Sequence, residues 1–220
     1  MKKYVNLFVF VFMIGACLSQ GRAQTKSAVS YKNPVVDIAM PDPTVIKAAD
    51  GYFYVYATES TRNVPIMKSK DLVEWTYCNT AFTNKTRPRF EPKAGIWAPD
   101  INYINGKYVL YYAMSVWGGE QTCGIGVATA NSPQGPFTDH GKMFRSNEIG
   151  VQNSIDPSLL QYEGRNYLVW GSFRGIYVIE LTADGLSIMS GAKKKRIAGT
   201  AFEAVYIHKH GDYYYMFASI

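Results

Sequence analysis

Four acidic residues recur at comparable places along the chain: Asp42 in Pro41-Asp42-Pro43-Thr44-Val45, Asp100 in Trp97-Ala98-Pro99-Asp100-Ile101, Asp156 in Ser154-Ile155-Asp156-Pro157-Ser158, and Glu203 in Phe202-Glu203-Ala204. Each heads an apolar, strand-like segment, and a turn glycine follows it by 9, 6, 8 and 8 residues respectively. Carboxyls gathered at one place repel one another and take on different proton affinities, which is what separate acid and base roles require. Hydrolysis of a glycosidic bond uses such a pair, one acid protonating the leaving oxygen and one base activating water. For any one of these residues alone, capping a turn or binding strand-end amides is the commoner role of an Asp. Recurrence makes the four a set, although repeat architecture by itself also produces recurrence.

The elements that must bring these acids together are strands. The chain has 220 residues, 47% hydrophobic and 18% charged, with 17 Tyr, 11 Phe, 4 Trp, 19 Gly and 10 Pro. That composition excludes wholesale disorder and favours strands and turns over a helix bundle. A unit recurs four times: an apolar strand, a turn with Gly51, Gly106, Gly164 or Gly211, then an aromatic strand such as Tyr108-Val109-Leu110-Tyr111-Tyr112. The glycines are 55, 58 and 47 residues apart, and Asp50-Gly51 and Asn105-Gly106 are strong hairpin signals. Residues 66–69, 125–130 and 176–181 supply third strands, and 71–75 and 132–137 read as strand-like exits. A hairpin-bearing repeat of roughly this length is the signature of a propeller blade. A two-sheet sandwich would also give short strands but not the long, regular repeat. The expectation is an all-β propeller over residues 33–220. The pattern stops in the second strand of the fourth unit, about three and a half blades in, so further blades are expected beyond Ile220.

The formal charge of +6 overstates the basic character, because residues 1–24 hold Lys2, Lys3 and Arg22 and no acid. The remaining +3 is too balanced to imply a nucleic-acid partner. Lys2-Lys3 followed by an apolar run from Val5 to Ala16 reads as a signal peptide over residues 1–23, too short to span a bilayer comfortably. Gly21-Arg22-Ala23 suits cleavage before Gln24, and Ile14-Gly15-Ala16-Cys17 is a competing lipobox that would anchor a lipidated Cys17. Either way the protein is exported, to the periplasm or outside the cell, with no membrane-spanning segment in the mature chain. Cys78 and Cys123 then remain; their pairing is left open, since two cysteines make no disulfide framework.

Taken in order on this repeat, the four acidic motifs resemble the successive signatures of glycoside hydrolase family 43, from about Asn33 to the end of the chain. Ser69-Lys70-Asp71-Leu72-Val73-Glu74-Trp75 is part of the match, and Gly171-Ser172-Phe173-Arg174-Gly175-Ile176 is similar to the arabinanase-like branch. The resemblance implies a five-bladed propeller acting on arabinan or xylan with inversion. It implies that Asp42 is the general base, Glu203 the general acid, and Asp156 the third carboxylate that tunes and orients the acid. Asp100 matches a family motif without a catalytic role and is left as a structural or subsite residue. An inverting pair sits ~6.5–9.5 Å apart, with room for water. No cofactor is needed for the chemistry. A structural calcium in the central channel is implied by resemblance only, through a histidine of a later blade.

Sugar rings pack flat C–H faces on aromatic rings, so aromatics beside the acids are candidate subsites. Trp97 comes first, then Phe173 and Arg174 in a Gly-flanked loop, with Trp117 as a further contributor; blade-to-blade packing is the alternative for each. Trp75, Trp170 and Tyr213 to Tyr215 are assigned to packing. Lys193-Lys194-Lys195-Arg196 reads as a solvated loop. His140, His208 and His210 lack metal spacing, the last two flanking a hairpin turn, and no phosphate-cradling loop or nucleophilic Ser or Cys motif occurs. The expected function is endo-hydrolysis of α-1,5-arabinan by a monomer whose partner is an arabinose- or xylose-containing polysaccharide. The alternatives are an exo-acting α-L-arabinofuranosidase or β-xylosidase, and a non-catalytic carbohydrate-binding propeller. The 220-residue chain itself is expected to be poorly active.

Overall fold

Two-residue turns set the strand registers. Asn105-Gly106 and Glu163-Gly164 each close a hairpin with both residues at positive φ, 48° and 81° in the first, 49° and 74° in the second. That backbone matches the right-handed twist of the strands it joins, which is why Gly occupies the second position. The computed structural model describes residues 30–220. The signal peptide expected over residues 1–23, with Cys17, lies outside them.

Three four-stranded antiparallel sheets follow one another along the chain, each with its strands in sequence order. The first holds β1 (Thr44–Lys47), β2 (Phe53–Tyr56), β3 (Pro65–Ser69) and β4 (Trp75–Thr80). The second holds β5 (Gly95–Ile104), β6 (Lys107–Ser115), β7 (Gly124–Ala130) and β8 (Thr138–Arg145), followed by the short helix α1 (Ser146–Ile149). The third holds β9 (Ser158–Tyr162), β10 (Arg165–Trp170), β11 (Ile176–Glu180) and β12 (Lys195–Ala198). A two-stranded sheet of β13 (Glu203–His210) and β14 (Tyr213–Ser219) comes last. First strands meet in succession, β1 with β5, β5 with β9 and β9 with β13. These are propeller blades, with each opening strand on the common axis.

The core lies between blades. Along β6, Tyr108, Leu110, Tyr112 and Met114 face the first blade, where they pack with Tyr54, Tyr56, Ile66 and Phe82. The alternate residues Val109 and Tyr111 join Ile125, Phe144, Leu168 and Trp170 against the third blade. A strand buried on both faces reads as a continuous apolar run, which is how β6 reads. In β10 the same period sends Leu168 and Trp170 one way and Val169 the other, toward Val205 of β13. Gly126 in β7 shows how closely the layers approach: a Cβ there would lie 2.3 Å from the Tyr112 hydroxyl. Gly126→Ala must displace a fully buried ring that also donates to Asp139 Oδ1 at 2.5 Å. A loss of roughly 1–3 kcal/mol is expected in denaturant unfolding.

Several local expectations change. Asp100 does not head its strand but lies within β5. Residues 71–74 and 132–137 are turns, and the outer strands begin at Trp75 and Thr138. Lys195 and Arg196, half of the basic run, belong to edge strand β12, where exposed charge discourages edge-to-edge pairing. Trp170 is fully buried and Trp75 half-buried, as packing residues should be; Tyr214 packs edge-on against Tyr162 of the third blade at 5.6 Å between ring centroids, and on β14, which pairs only with β13 among the described residues, Tyr213, Tyr214 and Tyr215 are exposed. Cys78 and Cys123 are both free. No helix among the described residues is long and apolar enough to cross a membrane.

Candidate active site

Two backbone devices bring the acids to the axis. Asp42 and Asp156 stand two residues before β1 and β9, each in the left-handed region, at φ 49° and 56°. Asp tolerates that region better than most residues. Asp100 and Glu203 use a bulge instead. Trp97 pairs with Ala113 and Asp100 with Tyr111, so Ala98 and Pro99 of β5 together oppose the single Tyr112 of β6. Glu203 pairs with Ser219 and Tyr206 with Phe217, the same mismatch in the fourth sheet. Each bulge carries an alanine at positive φ, Ala98 at 40° and Ala204 at 50°. An extra residue reverses the strand's alternation. Trp97 and Asp100, three apart, therefore line the same cavity, as do Glu203 and Tyr206. Non-glycine residues in this conformation gather at functional sites because surrounding structure must hold them there.

The cavity measures about 850 Å³ and is bounded by Asp42, Asp100, Asp156 and Glu203 together with Trp97, Trp117, Glu120, Phe173 and Tyr206. Its lining includes five carboxyls and no Lys, Arg or His. Asp42 is exposed and accepts a hydrogen bond from Thr58 Oγ1 at 2.6 Å. The same hydroxyl accepts from Ala98 N–H at 2.6 Å, and Thr58 N–H donates to Pro41 O at 2.9 Å, so one threonine ties Asp42 to the β5 bulge. Below Trp97, Glu59 forms a buried ion pair with Arg87 and accepts from Ile96 N–H at 2.9 Å. Glu203 accepts from the buried Ser172 hydroxyl at 2.9 Å. Thr58 and Glu59 carried no sequence signal beyond polar residues after a strand, and Ser172 stood in the Gly171–Ile176 motif without a role of its own.

Asp156 accepts from Ala204 N–H at 3.2 Å. Burial, and next the adjacent Glu203 carboxyl, push it up to about 7, with a smaller push from Asp42 and an opposing pull from the Ala204 amide. Asp100 is raised to about 6, entirely by burial. Its oxygens are engaged by Asn102 Nδ2 at 2.7 Å, Leu159 N–H at 2.8 Å and, more loosely, Thr44 Oγ1 at 3.5 Å. Asp100 thus ties the first strands of three blades together.

The structure places Asp42, Asp156, Glu203, Asp100, Trp97 and Phe173 around one cavity, but not Arg174. Arg174 instead pairs at 2.9 Å with Glu120, which does line the cavity. Trp97 rests on Ala113, Cys123 and Ile155 and meets Trp117 at 5.4 Å between ring centroids. Trp117 is 93% exposed, and Phe173 is also exposed. Among the described residues no three His, Cys, Asp or Glu side chains gather as metal ligands, and Asp100 is already bonded to protein donors. The histidine through which the resemblance implies a calcium belongs to a later blade, and no step is routed through that ion.

The geometry has solved counterparts. The arabinanase of Bacillus subtilis superposes with a TM-score of 0.72 at 32% identity, covering 83% of this chain and 66% of that one. A Cellvibrio cellulosa α-L-arabinanase complexed with arabinohexaose superposes with a TM-score of 0.73 at 28% identity, over 82% and 64%. Among curated relatives, the extracellular endo-α-(1→5)-L-arabinanase 1 of Bacillus subtilis is 35% identical, over 81% of this chain and 58% of that protein. The arabinan endo-1,5-α-L-arabinosidase A of Aspergillus niger is 32% identical, over 81% and 57%. The chain thus spans a little under three fifths of the length of these relatives. The family model described as glycosyl hydrolases family 43 matches residues 31–220. With its blades, its ordered acidic motifs and this match in agreement, the chain belongs to glycosyl hydrolase family 43.

Proposed function

We propose that the protein hydrolyses α-1,5-linked arabinan within the chain and with inversion, using Asp42 as general base and Glu203 as general acid. The observation that carries this reading is a cavity walled by aromatic rings, lined by carboxyls from successive blades and free of any cationic side chain. Such a lining repels uronates and favours a neutral polysaccharide. Asp42, exposed and aimed by Thr58, takes a proton from water as the water oxygen bonds to the anomeric carbon. The bond from that carbon to the leaving sugar oxygen breaks, and Glu203 gives that oxygen a proton. Solvent exchange then restores both groups. Asp156, between them in chain order and raised to about 7, retains a proton on this side of the cavity near neutral pH.

Export is part of the proposal. It is supported by the Lys2-Lys3 and apolar-run pattern and by an extracellular relative, with lipidation at Cys17 the finer alternative to free secretion. The 220-residue chain alone is proposed to be a weak catalyst, since catalysis tolerates little looseness in the carboxyl positions.

The test uses the complete gene product, including whatever is encoded beyond Ile220, on linear α-1,5-arabinan. Short oligosaccharides as first products, released as the β-anomer by NMR, are expected. Arabinose alone indicates an exo enzyme, the α-anomer refutes inversion, and hydrolysis of xylan but not arabinan refutes the substrate. Trp117→Ala is expected to raise KM for long arabinan about tenfold, with kcat little changed, because an exposed ring serves sugars beyond the cleaved bond. Steady-state kinetics on arabinan and on a single-sugar aryl substrate, for which no change is expected, check this.

A further inference from the structure

We propose that Glu120 is a positioning residue for Glu203: from the rim of the cavity it fixes the loop at residues 171–175 and, through Ser172, the direction of the general acid. The inference rests on the reading of Glu203 given above.

Glu120 lies in the connection between β6 and β7 and lines the cavity. Its carboxylate accepts the Arg174 guanidinium at 2.9 and 3.2 Å and the Gln152 side-chain amide at 2.6 Å. Its backbone carbonyl accepts from Asn153 N–H at 2.7 Å. Asn153 Nδ2 donates in turn to the Ser172 carbonyl at 3.1 Å, and the Ser172 hydroxyl donates to Glu203 Oε2 at 2.9 Å. One residue further, Phe173 N–H donates to Phe202 O at 2.9 Å, immediately before Glu203. A single residue of the second blade therefore holds two segments of the third, and these meet the acid on the fourth sheet.

The loop needs such a hold. Gly171, Phe173 and Gly175 lie at φ 126°, 49° and 102°, and a Cβ on Gly171 would sit 2.3 Å from Gly175 O. A turn this unusual is held outside the strand ladder, by the side-chain ties above together with the backbone bonds of Gly171 N–H to Ile155 O and Phe173 N–H to Phe202 O. A partly exposed ion pair adds little to stability, so the effect expected from Glu120 is geometric. A proton donor must stay within hydrogen-bond reach of the departing oxygen, and small displacements there cost rate.

The discriminating measurement is dependence on the leaving group. A sugar alkoxide leaves only with a proton, whereas 2,4-dinitrophenolate leaves without one. In the complete gene product, Glu120→Ala is expected to lower kcat on arabino-oligosaccharides about tenfold. On 2,4-dinitrophenyl α-L-arabinofuranoside kcat should stay within about twofold of wild type. Arg174→Ala should reproduce the pattern more weakly, Glu120→Gln should recover part of the loss, and Arg174→Ala should add nothing in the Glu120→Ala background. Equal losses on both substrates, with a lowered melting temperature, would mean a structural role and overturn the proposal. Unchanged kinetics in both single variants would also overturn it. Should Glu120→Ala fail to fold, the more exposed Arg174→Ala decides by the same ratio. If the wild-type protein cleaves neither substrate, the functional reading falls and this inference with it; wild-type cleavage with no leaving-group effect removes this inference alone.

Discussion

Glu203→Ala is expected to lower arabinan hydrolysis by roughly 10²–10⁴-fold, the range of general acid catalysis, and to leave oligosaccharide binding nearly intact. Binding should persist because the aromatic walls proposed to hold the sugars, Trp97, Trp117 and Phe173, come from other blades and are untouched. Asp42→Ala is expected to fall by a similar factor, and the two losses differ in kind. With a 2,4-dinitrophenyl leaving group the Glu203 variant should recover most of its rate, since that group departs unprotonated. The Asp42 variant should not recover, because water still needs its base. Single-turnover kinetics on both substrates, with calorimetry for arabinohexaose, make the comparison. Equal recovery in both variants would show that the roles have been assigned to the wrong carboxyls. Retained hydrolysis after loss of Glu203 would return the fold to a carbohydrate-binding role.

Asp156→Asn should abolish most activity and, above pH 7, make the protein more stable. The sign follows from the shift. Asp156 is raised from 3.8 to about 7 in the folded state by burial and by Glu203 and Asp42. Between those values the folded protein binds a proton that the unfolded chain does not, so stability from this group falls as pH rises and reaches its low plateau above about 7. Asp100 adds a weaker effect of the same sign between 3.8 and about 6. Glu59, lowered despite its burial by Arg87 and by the amides of Asn63 and Ile96, acts oppositely: its contribution is present above 4.5 and is lost as acid protonates it. Asparagine removes the repulsion while keeping an acceptor for Ala204 N–H. A gain on the order of a few kcal/mol at pH 8, shrinking toward pH 4, is therefore expected. Thermal melts of both proteins at pH 5 and 8 measure it, and a variant no more stable than wild type at pH 8 would contradict the electrostatic account. Carboxyls crowded for catalysis exact a stability cost of this kind.

Much of the architecture was legible in the sequence because it is local. Asn105-Gly106 and Glu163-Gly164 specify their own turns, and the alternation in β6 already separates residues bound for two different neighbours. The set of acids was legible too, since each recurs six to nine residues before a turn glycine. Other features depend on registers that short-range patterns do not encode. By its motif Asp100 heads a strand, whereas β5 extends back through Trp97-Ala98-Pro99, and only the bulge opposite Ala113 and Tyr111 reveals how Trp97 and Asp100 face one way.

The amino-acid sequence by itself determined that blades form, in which order, and which residue types each sends toward the axis, because turns and alternation act over a few residues. Tertiary structure alone decided what those residues meet: that Thr58 aims Asp42, that Ser172 binds Glu203, that Arg174 pairs with Glu120 at the cavity rim, and that Asp156 is pushed upward by burial and then by carboxyls on other blades. Hydrogen bonds and charge repulsion act across a few ångströms of space whatever the distance along the chain, so only the closing of the blades around their axis brings these groups within range of one another.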